Sequence, residues 1–97
     1  MHLDDEYLFR FAGTLRLFGE TTAQSIYQSH ICVIGLGGVG SWATEFLART
    51  GIHRLTLVDD DEICLSNSNR QIQALTSTVG QFKTSSLLSR IRDIHPF

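Results

Sequence analysis

His30-Ile31-Cys32-Val33-Ile34-Gly35-Leu36-Gly37-Gly38-Val39-Gly40 is the stretch that decides the fold of this chain. The short apolar, β-branched run at residues 31–34 reads as a buried strand. Glycines follow it at once, and a segment with helical periodicity follows the glycines. Strand, glycine turn and helix in that order separate a nucleotide-binding loop from a chance cluster of glycines. Gly35 permits the tight turn out of the strand, Gly37 lets the backbone approach a phosphate, and Gly40 lets the helix pack closely on the strand. Backbone N–H groups at the helix start then face the ligand, where the helix dipole favours negative charge. Alone, the loop implies an anionic nucleotide without saying which one.

Working outward, Val39, Trp42, Ala43, Phe46 and Leu47 fall at the spacing of an amphipathic helix, which predicts that they form its core face. Gly51 stands where a C-terminal cap is expected. Residues 53–59 read as a second strand closed by an acid. Strand, helix and strand with short connections imply a right-handed parallel βαβ unit. Residues 60–76 are mostly irregular, and so long a loop in a compact domain is usually functional or disordered. Thr78-Val79-Gly80-Gln81 fits a capping box opening a helix whose Leu87, Leu88, Ile91 and Ile94 share a face, and Pro96 stops it. Upstream, residues 4–28 read as one or two short helices broken near Gly19, the second capped by Thr21 or Thr22. The expected fold class is α/β: a helical arm over residues 1–29, then residues 30–97 as the N-terminal part of a Rossmann-like, doubly wound parallel sheet. The sequence stops where a third strand is expected, so it reads as a piece of a larger domain.

Composition narrows the class. Over 97 residues, 42% are hydrophobic and 19% charged, which is globular rather than disordered. A net charge of −2 makes no strong field for nucleic acid or an anionic membrane, so any RNA-binding surface would be local or lie on further sequence. The two cysteines, Cys32 and Cys64, are too few for a disulfide framework and form no CxxC. The acidic start is no signal peptide and no apolar run spans a bilayer, so the expectation is a cytoplasmic, reduced compartment and no membrane partner.

Asp59 lies twenty-four residues after Gly35, at the end of the second strand, where an acid can accept hydrogen bonds from ribose hydroxyls. To this point a nicotinamide or flavin dinucleotide fits as well as ATP. The residues beyond Asp59 separate the two readings. A hydride-transfer enzyme has no evident use for a loop ending in Arg70 with Lys83 beyond it, whereas a triphosphate and its departing pyrophosphate need fixed cations. The other candidates read blandly. Cys32 is a buried small hydrophobe inside its strand. Cys64 is a loop thiol with only Arg70 nearby to activate it. His2, His30, His53 and His95 are scattered, and Trp42 belongs to the core stripe. In the acidic run at residues 59–62, at most Asp59 and Asp61 share a side, so no resident metal is expected and Mg²⁺ arrives with the nucleotide.

GxGGxG, the acid closing the second strand, D-x-D, N-x-x-R-Q and V-G-x-x-K occur in order from Gly35 to Lys83. This arrangement resembles the ThiF/MoeB/HesA superfamily, the bacterial relatives of ubiquitin-activating enzymes. The resemblance implies ATP and Mg²⁺ as cofactors, with Gly35, Gly37, Gly38 and Gly40 forming the nucleotide loop and Asp59 holding the ribose. It implies phosphate contacts from Asn67, Arg70 and Lys83, and a place for Asp61 in the nucleotide pocket. Within the superfamily, residues 10–19, 38–43 and 67–72 look most like the TcdA (CsdL) branch, whose members use ATP to cyclise threonylcarbamoyladenosine in tRNA. The resemblance further implies a homodimer in which an N-terminal arginine reaches the neighbour's site, with tRNA or a ubiquitin-like sulfur-carrier protein as acceptor. Where many members carry that arginine this sequence has Gly13; Arg16, about one turn later, is the better candidate, and Arg10 is the other. Phe82 replaces the small residue or proline usual before the lysine, where it either packs or crowds the phosphates. The family's later aspartate and substrate-binding half lie beyond this sequence, so the chain alone is expected to be inactive. Two other readings stand beside this one: an NAD(P)- or FAD-dependent oxidoreductase, and a non-catalytic interaction module that pairs through an exposed sheet edge.

Overall fold

A computed structural model describes residues 3–96; His2 lies outside them. The order is α1 (Asp5–Arg10), α2 (Ala12–Phe18), α3 (Glu20–Gln28), β1 (His30–Ile34), α4 (Gly40–Thr50), β2 (Arg54–Val58) and α5 (Lys83–Ile94). Asp4 opens α1 by accepting the Glu6 N–H at 2.8 Å. Gly19 breaks α2 from α3 at φ 84°, a left-handed turn that suits glycine. It is also the N-cap of α3, so Thr21 and Thr22 fall inside the helix and cap nothing.

The strands pair in parallel, from His30 opposite Arg54 to Ile34 opposite Val58. This is the expected βαβ unit, and it is Rossmann-like. Burial alternates along both strands: Ile31, Val33, Leu55 and Leu57 are sheltered, while Cys32, Ile34, Thr56 and Val58 are exposed. Cys32 is therefore not buried as expected. Alternate side chains point to opposite faces of a sheet, and only one face of this one is covered.

Helix α4 departs further from expectation. Val39 is 84% exposed, Phe46 69% and Trp42 53%. The inward face carries Ser41, Thr44, Glu45 and Ala48 instead. Small residues let α4 lie close to the strand, and their hydroxyls are satisfied locally: Thr44 Oγ1 donates to Gly40 O at 2.7 Å. Buried Glu45 ties α4 to α5, accepting from Arg90 Nε at 2.7 Å and from Arg49 Nε at 2.7 Å. These two bonds hold its carboxyl below its ordinary value despite the opposing effect of burial.

The arm is fastened by an aromatic cluster. Leu3, Tyr7 and Phe11 are buried together, with Leu8 and Tyr27 against them. The Tyr7 ring meets Phe11 at 4.9 Å and Tyr27 edge-on at 4.8 Å between centroids. Its hydroxyl donates to Gly51 O at 2.6 Å, and burial pushes its pKa up to about 12. Gly51 is the expected C-cap of α4, at φ 102°. The capping box at Thr78 does not form: Thr78 Oγ1 serves a tight turn, accepting the Leu75 N–H at 3.0 Å, and α5 starts five residues later at Lys83. Among the described residues, no helix is long and apolar enough to cross a membrane.

Candidate functional site

The glycine loop leaves β1 with one more sheet bond, Gly35 N–H to Val58 O at 2.8 Å, and turns at Gly35 with φ 88°. Leu36 is then held on every side. Its side chain is fully buried, its N–H donates to Asp59 Oδ2 at 2.8 Å, and its carbonyl accepts Gln73 Nε2 at 2.9 Å. Gly40 is required by sterics rather than by torsion, because a Cβ there would run into the Gly35 carbonyl. No side chain caps the start of α4, which leaves its first N–H groups without a side-chain partner.

Asp59 sits half-buried across from the loop. Its Oδ2 holds Leu36 and its Oδ1 accepts the Asp61 N–H at 2.8 Å. Burial pushes the carboxyl pKa up, but the two N–H bonds and the Lys83 charge outweigh burial and leave it below the ordinary value. Each oxygen keeps a lone pair for a further donor. The Asp61 bond folds the chain back just past the strand, so the extended alternation ends there. The carboxylates of Asp59, Asp60 and Asp61 consequently all come within 4.8 Å of one another, which exceeds the expected pair. They border a cleft of about 560 Å³ at the carboxyl ends of both strands, with Ile34 and Gly35 on its other wall.

The loop after the acids folds over the glycines. A 3₁₀ turn, Leu65–Asn67, is built by Asn67, whose Oδ1 accepts the Cys64 N–H at 3.0 Å. Asn67 O in turn accepts the N–H groups of Arg70 at 3.1 Å and Gln71 at 3.0 Å. Arg70 lies against the glycine loop: a Cβ on Gly38 would be 3.5 Å from its Cγ and Cδ. Its Nη1 donates to Ser66 O at 3.0 Å and to Asn69 Oδ1 at 2.9 Å. Trp42 Nε1 donates to Arg70 O at 2.8 Å. Lys83 opens α5, is buried, and is fastened by its N–H to Asp61 O at 3.1 Å. Phe82 beside it bridges Glu62 through the backbone and leaves its ring half exposed rather than packed. Glycines, acid, arginine and lysine thus meet at one end of the sheet. Fixed donors, a low-pKa carboxylate and cations in that arrangement can hold the sugar and phosphates of a nucleotide.

A profile of the ThiF family matches residues 10–97. The chain belongs to the ThiF family. It is 52% identical over 94 residues to the tRNA threonylcarbamoyladenosine dehydratase of Escherichia coli, covering 97% of this chain and 35% of that protein. It is 35% identical over 96 residues to the molybdopterin-synthase adenylyltransferase of the same organism, covering 97% and 39%. The crystal structure of the E. coli dehydratase, TcdA, in complex with ATP superposes with a TM-score of 0.97 at 51% identity, over 99% of this chain and 40% of that one. The chain therefore spans little more than a third of the length of these ThiF relatives.

Arg16 is not brought to this ThiF site. It is exposed on α2, and Leu17 and Phe18 of the same helix line a groove with Phe46 and Arg49, toward the far end of α4 from the glycine loop. Arg10 is committed to α5, donating to Ile94 O at 3.0 Å, and pairs with Glu6 at 3.4 Å. Asn67 is at the site as loop framework, with its carboxamide oxygen already engaged. One residue, Gln73, escaped the sequence reading, and two others, Trp42 and Cys64, stand in surroundings other than those expected. Gln73 braces Leu36, and nothing in its neighbours marks it. Trp42 anchors Arg70; its place one turn after the glycines was the available signal. Cys64 is exposed, and hydrogen bonds from the Ser66 hydroxyl and N–H, with a smaller contribution from Lys83, hold its thiol below the ordinary pKa. Arg70 is not among these causes.

Proposed function

We propose that this chain provides the nucleotide site of an ATP-dependent adenylating enzyme of the ThiF type, acting in the cyclising dehydration of threonylcarbamoyladenosine in tRNA. The observation that carries this reading is the gathering of Asp59, Arg70 and Lys83 about the glycine loop; an E. coli relative solved with ATP has the same backbone over this chain at 51% identity, which supports it. Asp59 accepts the ribose hydroxyls with its spare lone pairs. Gly35, Gly37, Gly38 and Gly40 let backbone N–H groups reach the phosphates, and Asn67, Arg70 and Lys83 complete that contact. Asp61 closes the pocket. A hard cation is suited to oxygen donors, and the carboxylates of Asp60 and Asp61 beside Asp59 would suit Mg²⁺ carried in on the nucleotide, where it would shield phosphate charge.

In the chemistry proposed, a carboxylate oxygen of the substrate attacks the α-phosphorus and the bond to pyrophosphate breaks. Arg70 and Lys83 stabilise the charge that builds on the leaving oxygens. An internal nucleophile of the modified base then attacks the activated carbonyl carbon, AMP leaves, and the ring closes. Arg16 acts from a second copy of the chain in a homodimer: it is exposed, and its helix presents Leu17 at an open groove shared with Phe46. A ubiquitin-like sulfur-carrier acceptor, suggested by the adenylyltransferase relative, is the alternative substrate, and the cytoplasm is the proposed location. Calorimetry on the chain tests the core of the proposal, since the residues assigned to the sugar and phosphates all lie on it. Saturable ATP uptake that NADH does not displace is the expected result. NADH binding that ATP leaves untouched would instead identify a dinucleotide site.

A further inference from the structure

Trp42 is the chain's single tryptophan, and it lies in the first turn of α4 with half its surface open. A core tryptophan would be buried, so packing does not account for it. What the ring does do is donate its Nε1–H to Arg70 O at 2.8 Å, across 28 residues of sequence. Indole is a donor only, on a stiff two-torsion side chain, so this bond has a defined direction. The ring belongs to the helix that begins at the glycine loop, and it therefore ties the Arg70 backbone to that loop directly. Two further braces flank it: Ile72 N–H to Ser41 Oγ at 3.4 Å, and Gln73 Nε2 to Leu36 O at 2.9 Å. The Arg70 stem is then pressed against Gly38, within 3.5 Å of where a Cβ would be.

We infer that Trp42 is a positioning residue: its indole N–H sets Arg70 over the glycine loop and thereby gives the site its preference for a triphosphate over a monophosphate. The inference rests on the ATP reading above. On the proposed reading Arg70 answers the charge of the leaving pyrophosphate, which AMP lacks, so AMP is held without this anchor, whereas ATP depends on it. Trp42→Phe keeps a ring and removes the donor. By calorimetry its ATP affinity falls about three- to ten-fold, the worth of one hydrogen bond. Its AMP affinity stays within about two-fold, the margin within which independent sites add. An unchanged ATP-to-AMP ratio, whether both affinities fall equally or neither falls, would show a merely structural role and overturn the inference while leaving the ATP site intact. Trp42 emission in the unaltered chain provides a second measurement that does not depend on the variant folding. Emission that shifts with ATP and not with AMP supports the anchor; the same shift with both refutes it. A chain that binds neither nucleotide removes the ATP reading and this inference together.

Discussion

Asp59→Asn is the substitution that bears most directly on how the site is built. The two Asp59 oxygens accept the Leu36 and Asp61 N–H groups at 2.8 Å each. An asparagine keeps one acceptor oxygen and turns an NH₂ toward the other donor. One charge-assisted bond is lost outright, worth about 1.5–3 kcal/mol. With a urea slope of about 1–1.5 kcal/mol/M for a domain this small, the midpoint falls by roughly 1–3 M. Trp42, as the single tryptophan, supplies the emission signal for the titration. The pH dependence identifies the charge as the cause. Asp59 is held below its ordinary value of 3.8, so its stabilisation is complete above that pH and is lost as pH falls through the lower folded value. Wild type and variant should therefore differ fully at pH 7 and converge in acid, below about pH 3.8. A deficit that persisted unchanged into acid would show that the carboxylate charge is not what holds Leu36. The same variant should also weaken ATP binding, since an amide nitrogen replaces the acceptor proposed for the ribose; full affinity at pH 7 would remove Asp59 from that role.

Three further substitutions probe the frame. Gly40→Ala places a Cβ against the Gly35 carbonyl, a backbone atom that no rotamer change can move aside. It should cost at least about 1–3 kcal/mol, whereas Gly13→Ala, with nothing within 4 Å, should be neutral or stabilising by about 0.4–1 kcal/mol; urea midpoints for the pair decide the point. Tyr7→Phe should cost about 1–2 kcal/mol by leaving Gly51 O without its hydroxyl donor. The Tyr7 pKa rises from 10 to about 12 on folding, so wild-type stability should drain away between those values, by up to about 3 kcal/mol. The phenylalanine variant should be flatter over the same alkaline range. An equally steep wild type and variant, followed by circular dichroism, would assign the loss to another group.

The parts of this fold that were legible in the sequence are those dictated by backbone constraints. Gly35 and Gly51 sit at positive φ, Gly40 at a steric contact, and Pro96 just past α5. Each constraint is local, so the residue type announces it. Asp59 was legible because the close of a strand after a glycine loop is a fixed place in a βαβ unit. What could not be read was anything decided by a distant partner. The periodicity of Val39, Trp42 and Phe46 shows that α4 has two faces without saying which one meets the sheet. The close approach permitted by Gly40 selects small residues for the inner face, and so Ser41, Thr44 and Ala48 go inside. Likewise, Thr78 and Gln81 carry the letters of a capping box, but the Glu62–Phe82 bridge carries the chain past them and starts α5 at Lys83.

That same reversal of α4 explains how the site is assembled. Had the apolar stripe faced inward, Trp42 would point at the sheet and Arg70 would lose its anchor. With the small face inward, Trp42 is turned toward the loop that follows β2, and its N–H can meet Arg70 there. Parallel pairing brings the carboxyl ends of β1 and β2 to one edge, so Gly35 and Asp59 arrive together without any long-range search. Arg70 and Lys83 then need only two short ties, to Trp42 and to Asp61 O, to join them. Exposed aromatic surface on α4 is thus a consequence of building the site, and the glycine that allows the close approach, Gly40, is the residue on which the arrangement depends.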